Sequence, residues 1–229
     1  MDYIAQGFKE AFNLLISLDK EVFTIVSLSL FVSISATIIG SLISVPLSVY
    51  FGIKDFKGKK LFSRIVYTSM SIPTVVIGLL VAIILARRGP FGRWDLLYTK
   101  KAMIIAQVLL VSPYIFGLSY GLSKSRGKLI EKIGLTLGAN RLETIILIIK
   151  ELKVDILVNI AAAFSRAISE VGAVMIVGGN IKNKTRVITT TISMMNSMGD
   201  YPMAIALGLI LILISFIIHS LIYSYSGEE

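Results

Sequence analysis

The sequence predicts an all-α polytopic membrane protein with about five transmembrane helices, and three observations carry that fold class. Of the 229 residues, 55% are hydrophobic, and the mean hydropathy of +0.82 lies outside the range of soluble domains. Apolar runs recur that are longer than a globular core helix requires. One polar, basic interruption divides them: Ser123 to Lys153 holds Lys124, Arg126, Lys128, Lys132, Arg141, Lys150 and Lys153.

The chain opens with Ile4, Phe8, Ala11, Phe12 and Leu15 at helical spacing, while Asp2, Lys9, Glu10, Asp19 and Lys20 fall mostly elsewhere. This predicts an amphipathic helix lying in the membrane interface. No basic stretch precedes a short apolar core, so a secretory signal is not the reading. The first span is expected at about 22–51, with serines and Gly40 suited to close helix packing. A short basic loop, Lys54 to Lys60, leads to a second span at about 61–86, where Pro73 is tolerated because neighbours can re-satisfy the freed carbonyl. The turn-rich loop Arg87 to Asp95 follows, and its Trp94, with Tyr98 beyond it, suits a bilayer interface. Further spans are expected at about 102–122, 152–177 and 203–223, the last closed by an aromatic belt at Tyr223 and Tyr225.

The interruption at 123–151 contains two helical patterns. Leu129, Ile130, Ile133 and Leu137 share one face, and Leu142, Ile145, Ile146 and Ile149 another. Gly134 and Gly138 sit beside the first, where a missing side chain lets another surface approach. Such a basic, partly apolar platform outside the bilayer needs a partner.

Composition also excludes. The net charge of +9 arises largely from residues flanking apolar spans, which points to lipid headgroups and topology rather than nucleic acid. Without cysteine there are no disulfides and no thiolate metal sites. No G-x-x-x-x-G-K-[ST] run is present to cradle nucleotide phosphates, so no catalytic residue is expected. The single histidine, His219, has no Cys, Asp or Glu close in sequence and reads as a packed or interfacial residue, not a metal ligand. Met194, Met195 and Met198 read as packing.

Two stretches resemble a known family. Glu131-Lys-Ile-Gly-Leu-Thr-Leu-Gly138 resembles the loop of ABC importer membrane subunits that docks into a groove on the cytoplasmic ATPase. Glu131 and Gly138 match its acidic and glycine positions and Gly134 a small-residue position. Ile133 replaces the other small residue, and the Leu-Pro that often closes the motif falls on Lys150-Glu151. Ala163 to Asn180, then Ile181 to Arg186 and Val187 to Ile192, is similar to permeases for molybdate, sulfate and tungstate. Its Ser-Glu-Val-Gly-Ala and Gly-Gly-Asn-Ile look most like the tungstate type.

The resemblance implies a single permease domain over 1–229, working as a homodimer in the cell membrane. It also implies a cytoplasmic ABC ATPase that uses the ATP, an extracellular oxyanion-binding protein, and no cofactor on this chain. Glu131, Gly134 and Gly138 would couple to the ATPase. With the platform inside, five spans place the N-terminus outside and the C-terminus in the cytoplasm. Basic residues then divide twelve inside against eight outside, a bias in the same direction. An ATPase-independent channel or secondary transporter, and a membrane anchor that only recruits a partner, are the alternatives. No internal repeat supports the secondary transporter.

The translocation pathway is expected around the fourth span. Arg166 and Glu170 are four apart on an expected helix face, and each alone would cost at least about 2.5 kcal/mol at the bilayer centre. They should therefore face each other, a partner helix or a wet cavity, as a structural ion pair or as part of a gate. Ser165, Ser169 and Gly172 fit either role. Gly178-Gly179 should end the helix, with Asn180 bonding freed backbone groups. Lys182, Lys184, Thr185 and Arg186 would form a basic mouth, and Thr189, Thr190, Thr191 and Ser193 would offer hydroxyl donors for weak contacts with an oxyanion.

Overall fold

The computed structural model describes residues 2–17 and 19–226. Among them the ordered elements are all helical. Helix α1 (Asp2–Ser17) precedes α2 (Lys20–Ile53), α3 (Lys59–Ser69), α4 (Thr74–Leu85) and α5 (Lys100–Leu122). After these come α6 (Lys128–Thr136), α7 (Arg141–Glu151), α8 (Lys153–Ile168), α9 (Gly172–Gly178), α10 (Ile188–Met198) and α11 (Tyr201–Ser226). Three helices are long and apolar enough to cross a membrane, or up to five if each of two bent pairs counts as one span.

Helices α2 and α5 form the spine. Asp19 starts α2 by accepting from the Glu21 and Val22 amides at 2.9 and 3.0 Å, which satisfies donors that a helix start leaves free. At Gly40 a Cβ would lie 2.9 Å from Val111 Cγ2, so side chains of α5 pack onto the α2 backbone where α2 has no side chain. One buried cluster joins Val49 and Val111 to Ile148 of α7 and Ala163 of α8. A second joins Val32 and Ala106 to Val81 of α4 and Val177 of α9. Ser63 of α3 and Tyr120 of α5 share a buried hydroxyl contact of 2.7 Å. The outward surface is apolar over long distances, with Phe31, Leu42, Leu79, Ile83, Ile212 and Phe216 exposed, as a lipid-facing surface requires.

Several expectations are corrected. The span expected at 61–86 is α3 and α4, bent by 89°. Pro73 is not inside a helix but is the N-cap of α4, because proline lacks the amide that a continuous helix needs. The span expected at 152–177 is α8 and α9, bent by 57°. The third helix does not stop at 122. A π-helical turn at Ser123–Gly127 carries α5 into α6, and Lys100–Thr136 reads as one 37-residue helix. Residues 188–198 form α10, which had been read only as a hydroxyl run.

Helix α1 is amphipathic as expected, and it also packs along another helix. It runs parallel to the start of α11: Tyr3 meets Tyr201 edge-on at 5.5 Å, and a Cβ on Gly7 would lie 2.4 Å from Ile205 Cγ2. Ala11 is buried, while Ile4, Phe8 and Phe12 face outward. The expected contribution of Leu15 and the aromatic belt at Tyr223 and Tyr225 lie outside the described side chains.

Candidate functional site

Two places collect the residues that the sequence singles out: the platform, and the junction where both bent pairs break.

At the platform, the end of α2 is tied to α6. Asp55 accepts from Lys128 at 2.7 Å and from Lys59 at 3.2 Å, and these hydrogen bonds hold its carboxyl below the ordinary value of 3.8. Arg126 bridges to Asp155 at 2.9 Å. Between α6 and α7, Gly138 adopts φ +86° with open space around it. Backbone conformation favours glycine there, and the space beside it leaves room for another surface to approach. Gly134 is buried, and a Cβ there would lie 3.2 Å from Leu147, so its missing side chain admits α7 of the same chain. Asn140 and Glu143 form a reciprocal cap that starts α7, with bonds of 2.7–3.0 Å. The turn then presents Leu129, Ile133, Leu137 (80% exposed) and Leu142 outward. Glu131 lines a cleft with Tyr50, Lys54, Asp55 and Arg141. A rigidly capped, apolar tip ringed by charge has the character of a partner-binding surface.

The second place lies among the packed spans, where α8 gives way to α9 at residues 169–171. A break at that depth frees carbonyls that lipid cannot satisfy, and neighbouring groups take them up. Ser169 Oγ donates to Ser165 O at 2.7 Å and to Arg166 O at 3.2 Å. Gln107 Nε2, from α5, donates to Ala167 O at 2.9 Å. Thr189 Oγ1, from α10, donates to Glu170 O at 2.7 Å. The Glu170 carboxylate accepts from the Ala173 amide at 2.9 Å and so starts α9.

The other break comes to the same point. A Cβ on Gly172 would lie 2.8 Å from Val75 Cγ2 and 3.6 Å from Thr74 Oγ1. One turn further, a Cβ on Gly78 would lie 2.6 Å from Ala173 Cα, so α4 and α9 touch backbone to backbone. A cleft opens beside the junction between α10 and α11, lined by Val171, Thr189, Ser193, Asn196 and Tyr201 among others. Broken helices meeting at a cleft are how a membrane protein presents polar backbone along a path.

The expected Arg166–Glu170 pair does not form. The helix ends between them, so they share no face, and no ion pair within 4.0 Å joins them. Glu170 turns to α9, while the Arg166 guanidinium lies 5.5 Å from the Tyr114 ring centroid with its Nε buried and without an acceptor. The hydroxyl run is also spent internally: Thr189, Thr190 and Thr191 are buried, the last two bonding to Val187 O. Asn180 bonds Thr190 Oγ1 and Met194 Sδ rather than backbone. Thr185 takes that role, accepting from the Ile181 amide and donating to Gly178 O. Gly179 ends α9 at φ +69°, as expected.

Of the basic mouth, Lys182 and Arg186 lie 2.7 and 3.5 Å from Glu21 of α2, and Lys184 stays exposed. His219 of α11 contacts Ser165 Oγ at 2.9 Å through Nε2, linking the last helix to α8. Sequence reasoning missed Gln107, Tyr114, Thr74 and Gly78, because each acts across helices far apart in the chain. Ser169, Glu170, Gly172 and Thr189 were singled out by the sequence and do lie at the junction, whereas Pro73 was expected within a span.

Comparison with known proteins adds to this geometry. Residues 44–225 match the family model described as binding-protein-dependent transport system inner membrane component. The chain is 60% identical over 228 residues to the tungstate uptake system permease protein of Peptoclostridium acidaminophilum, covering 100% of each chain. It is 37% identical to the protein of the same name from Campylobacter jejuni, covering 94% of this chain and 90% of the relative. The sulfate transport system permease protein of Escherichia coli is 27% identical, covering 71% and 61%.

Proposed function

From the premise that this chain belongs to the family of binding-protein-dependent transport system inner membrane components, we propose that it is the permease of an ABC uptake system for tungstate. The observation that carries this reading is the 60% identity to a tungstate uptake permease over the full length of both chains. Relatives named for sulfate are more distant, at 27%, which places the cargo among tetrahedral oxyanions and nearest tungstate.

The permease works with partners. A separate cytoplasmic ATPase docks on the tip made by α6 and α7, with Glu131, Gly134 and Gly138 in the turn that it grips. A binding protein delivers the anion at the opposite end, and a second copy completes the pathway. The platform end is cytoplasmic, with the N-terminus outside and the C-terminus inside. Arg166, Ser169, Glu170 and Thr189 form the gate at the junction, while Asn180, Lys184, Thr185 and Arg186 shape the outer mouth. ATP binding closes the ATPases and draws the two platforms together, which opens the junction outward. After hydrolysis the anion leaves inward. The chain itself performs no covalent chemistry.

Sulfate, molybdate and tungstate share shape and charge, so the permease can separate them by little more than size. Discrimination resides in the preorganised pocket of the binding protein. The test is the ATPase activity of the reconstituted complex with its own binding protein. Tungstate should stimulate it at lower concentration than molybdate, and sulfate barely. Stimulation by an amino acid, sugar or metal cation, with none by the three oxyanions, would overturn the reading.

A further inference from the structure

The α8–α9 break is held from three directions, and of the two other helices that hold it only α5 runs on into the platform. Ser169 belongs to the break itself, and Thr189 comes from α10. Gln107 comes from α5, the helix that continues through the π-helical turn into α6 and ends at the docking tip. A displacement of α6 therefore acts on Gln107 along one continuous helix. Two turns along α5 from Gln107, Tyr114 lies under the guanidinium of Arg166, so the same helix contacts both the Arg166 side chain and the Ala167 carbonyl.

Gln107 is also an unexpected residue for static packing. It is 3% exposed among apolar neighbours, its Nε2 is bonded, and its Oε1 is buried without a donor. A half-satisfied buried amide is poorer than an apolar side chain of the same shape. The orphaned acceptor has a complement nearby in sequence, since the Nε–H of Arg166, the residue before Ala167, is buried without an acceptor. One state satisfies Ala167 O. A second, with α5 shifted against α8, would satisfy Arg166 Nε and Gln107 Oε1 together.

We propose that Gln107 is the positioning residue through which α5 passes platform motion to the broken span, exchanging Ala167 O for Arg166 Nε–H between two states. The proposal rests on the reading of this chain as an ATP-driven oxyanion permease. It adds a residue and a bond exchange to that reading.

The test uses the whole complex, permease with ATPase and binding protein, in proteoliposomes, comparing wild type with Gln107→Leu and Gln107→Met. Three quantities are read: tungstate taken up per ATP hydrolysed, the ATPase rate itself, and the melting temperature in detergent. Because Ala167 O also accepts from the Glu170 amide at 3.3 Å, both variants should keep the wild-type melting temperature within a few degrees and should keep hydrolysing ATP. Uptake per ATP should fall about fivefold or more, the scale of an ordinary coupling energy. Unchanged uptake per ATP in both variants would overturn the proposal. So would uptake falling in step with melting temperature, since that is what a purely structural amide would do. A wild-type complex that takes up no oxyanion would overturn the underlying reading and this proposal together, an outcome distinct from the other two.

Discussion

The backbone contact between α4 and α9 yields the sharpest quantitative expectation. Gly78→Ala places a Cβ 2.6 Å from Ala173 Cα and 3.2 Å from both Ala173 Cβ and its carbonyl oxygen. The obstacle includes backbone, which cannot rotate away, so one helix must move by about an ångström to restore ordinary van der Waals separation. Overpacking of this kind costs about 1–3 kcal/mol, against a gain of up to about 1 kcal/mol from replacing glycine within a helix. The net is a loss of about 1–2 kcal/mol, or roughly 2–8 °C in melting temperature for a chain of this size. Gly208→Ala is the internal control. It too lies in a helix, α11, but a Cβ there meets nothing within 4 Å, so the helix-propensity gain should stand alone and the melting temperature should rise slightly. The assay is thermal unfolding of purified protein in one detergent, with uptake measured in parallel. Since Gly78 lies one turn from the two breaks, uptake should fall further than the stability loss explains. A Gly78→Ala protein as stable as wild type would refute the close contact. A Gly208→Ala protein destabilised as much as Gly78→Ala would refute the reasoning from local space.

Three further expectations follow from single contacts. Thr189→Val removes the donor to Glu170 O within the break; unfolding measurements should show a loss of about 1–3 kcal/mol for the buried carbonyl left unpaired, and uptake should fall. Gly138→Ala imposes a side chain on φ +86°, with an expected cost of about 1–2 kcal/mol and weakened ATPase binding in a pull-down, whereas Thr136→Ala two residues away should leave that binding intact. The Asp55 carboxyl is held below its ordinary value by Lys128 and Lys59, so the tie between α2 and α6 is complete above about pH 4 and is lost as pH falls through the depressed value. Protection of the α6 amides relative to their intrinsic exchange rates should accordingly fall at acid pH in wild type and be low already at neutral pH in Asp55→Asn.

What the sequence by itself determined was whatever depends on residues close in the chain. Apolar runs of sufficient length set the spans, since each such run must bury its backbone in its own helix. The two helical patterns between Ser123 and Lys153 set two short helices, and α6 and α7 are those helices. Gly178-Gly179 ended a helix because only a left-handed residue does so without strain. The Ala163–Asn180 motif and the platform motif pointed to a family to which the chain belongs. Partner choices across helices were decided by the tertiary structure alone. Spacing suggested that Arg166 faces Glu170, yet the chain breaks between them, because Gln107, Ser169 and Thr189 are placed to satisfy the carbonyls that a break releases. The threonines looked like donors for an anion until α10 folded against the break and α9 and consumed them. Pro73 was expected within one span, but α4 starts there, and the 89° turn and its meeting with Gly172 required α4 to pack on α9. Helical periodicity is a property of one segment, whereas the partner of a freed carbonyl is a property of whatever helix lies alongside, and nothing local encodes which helix that will be.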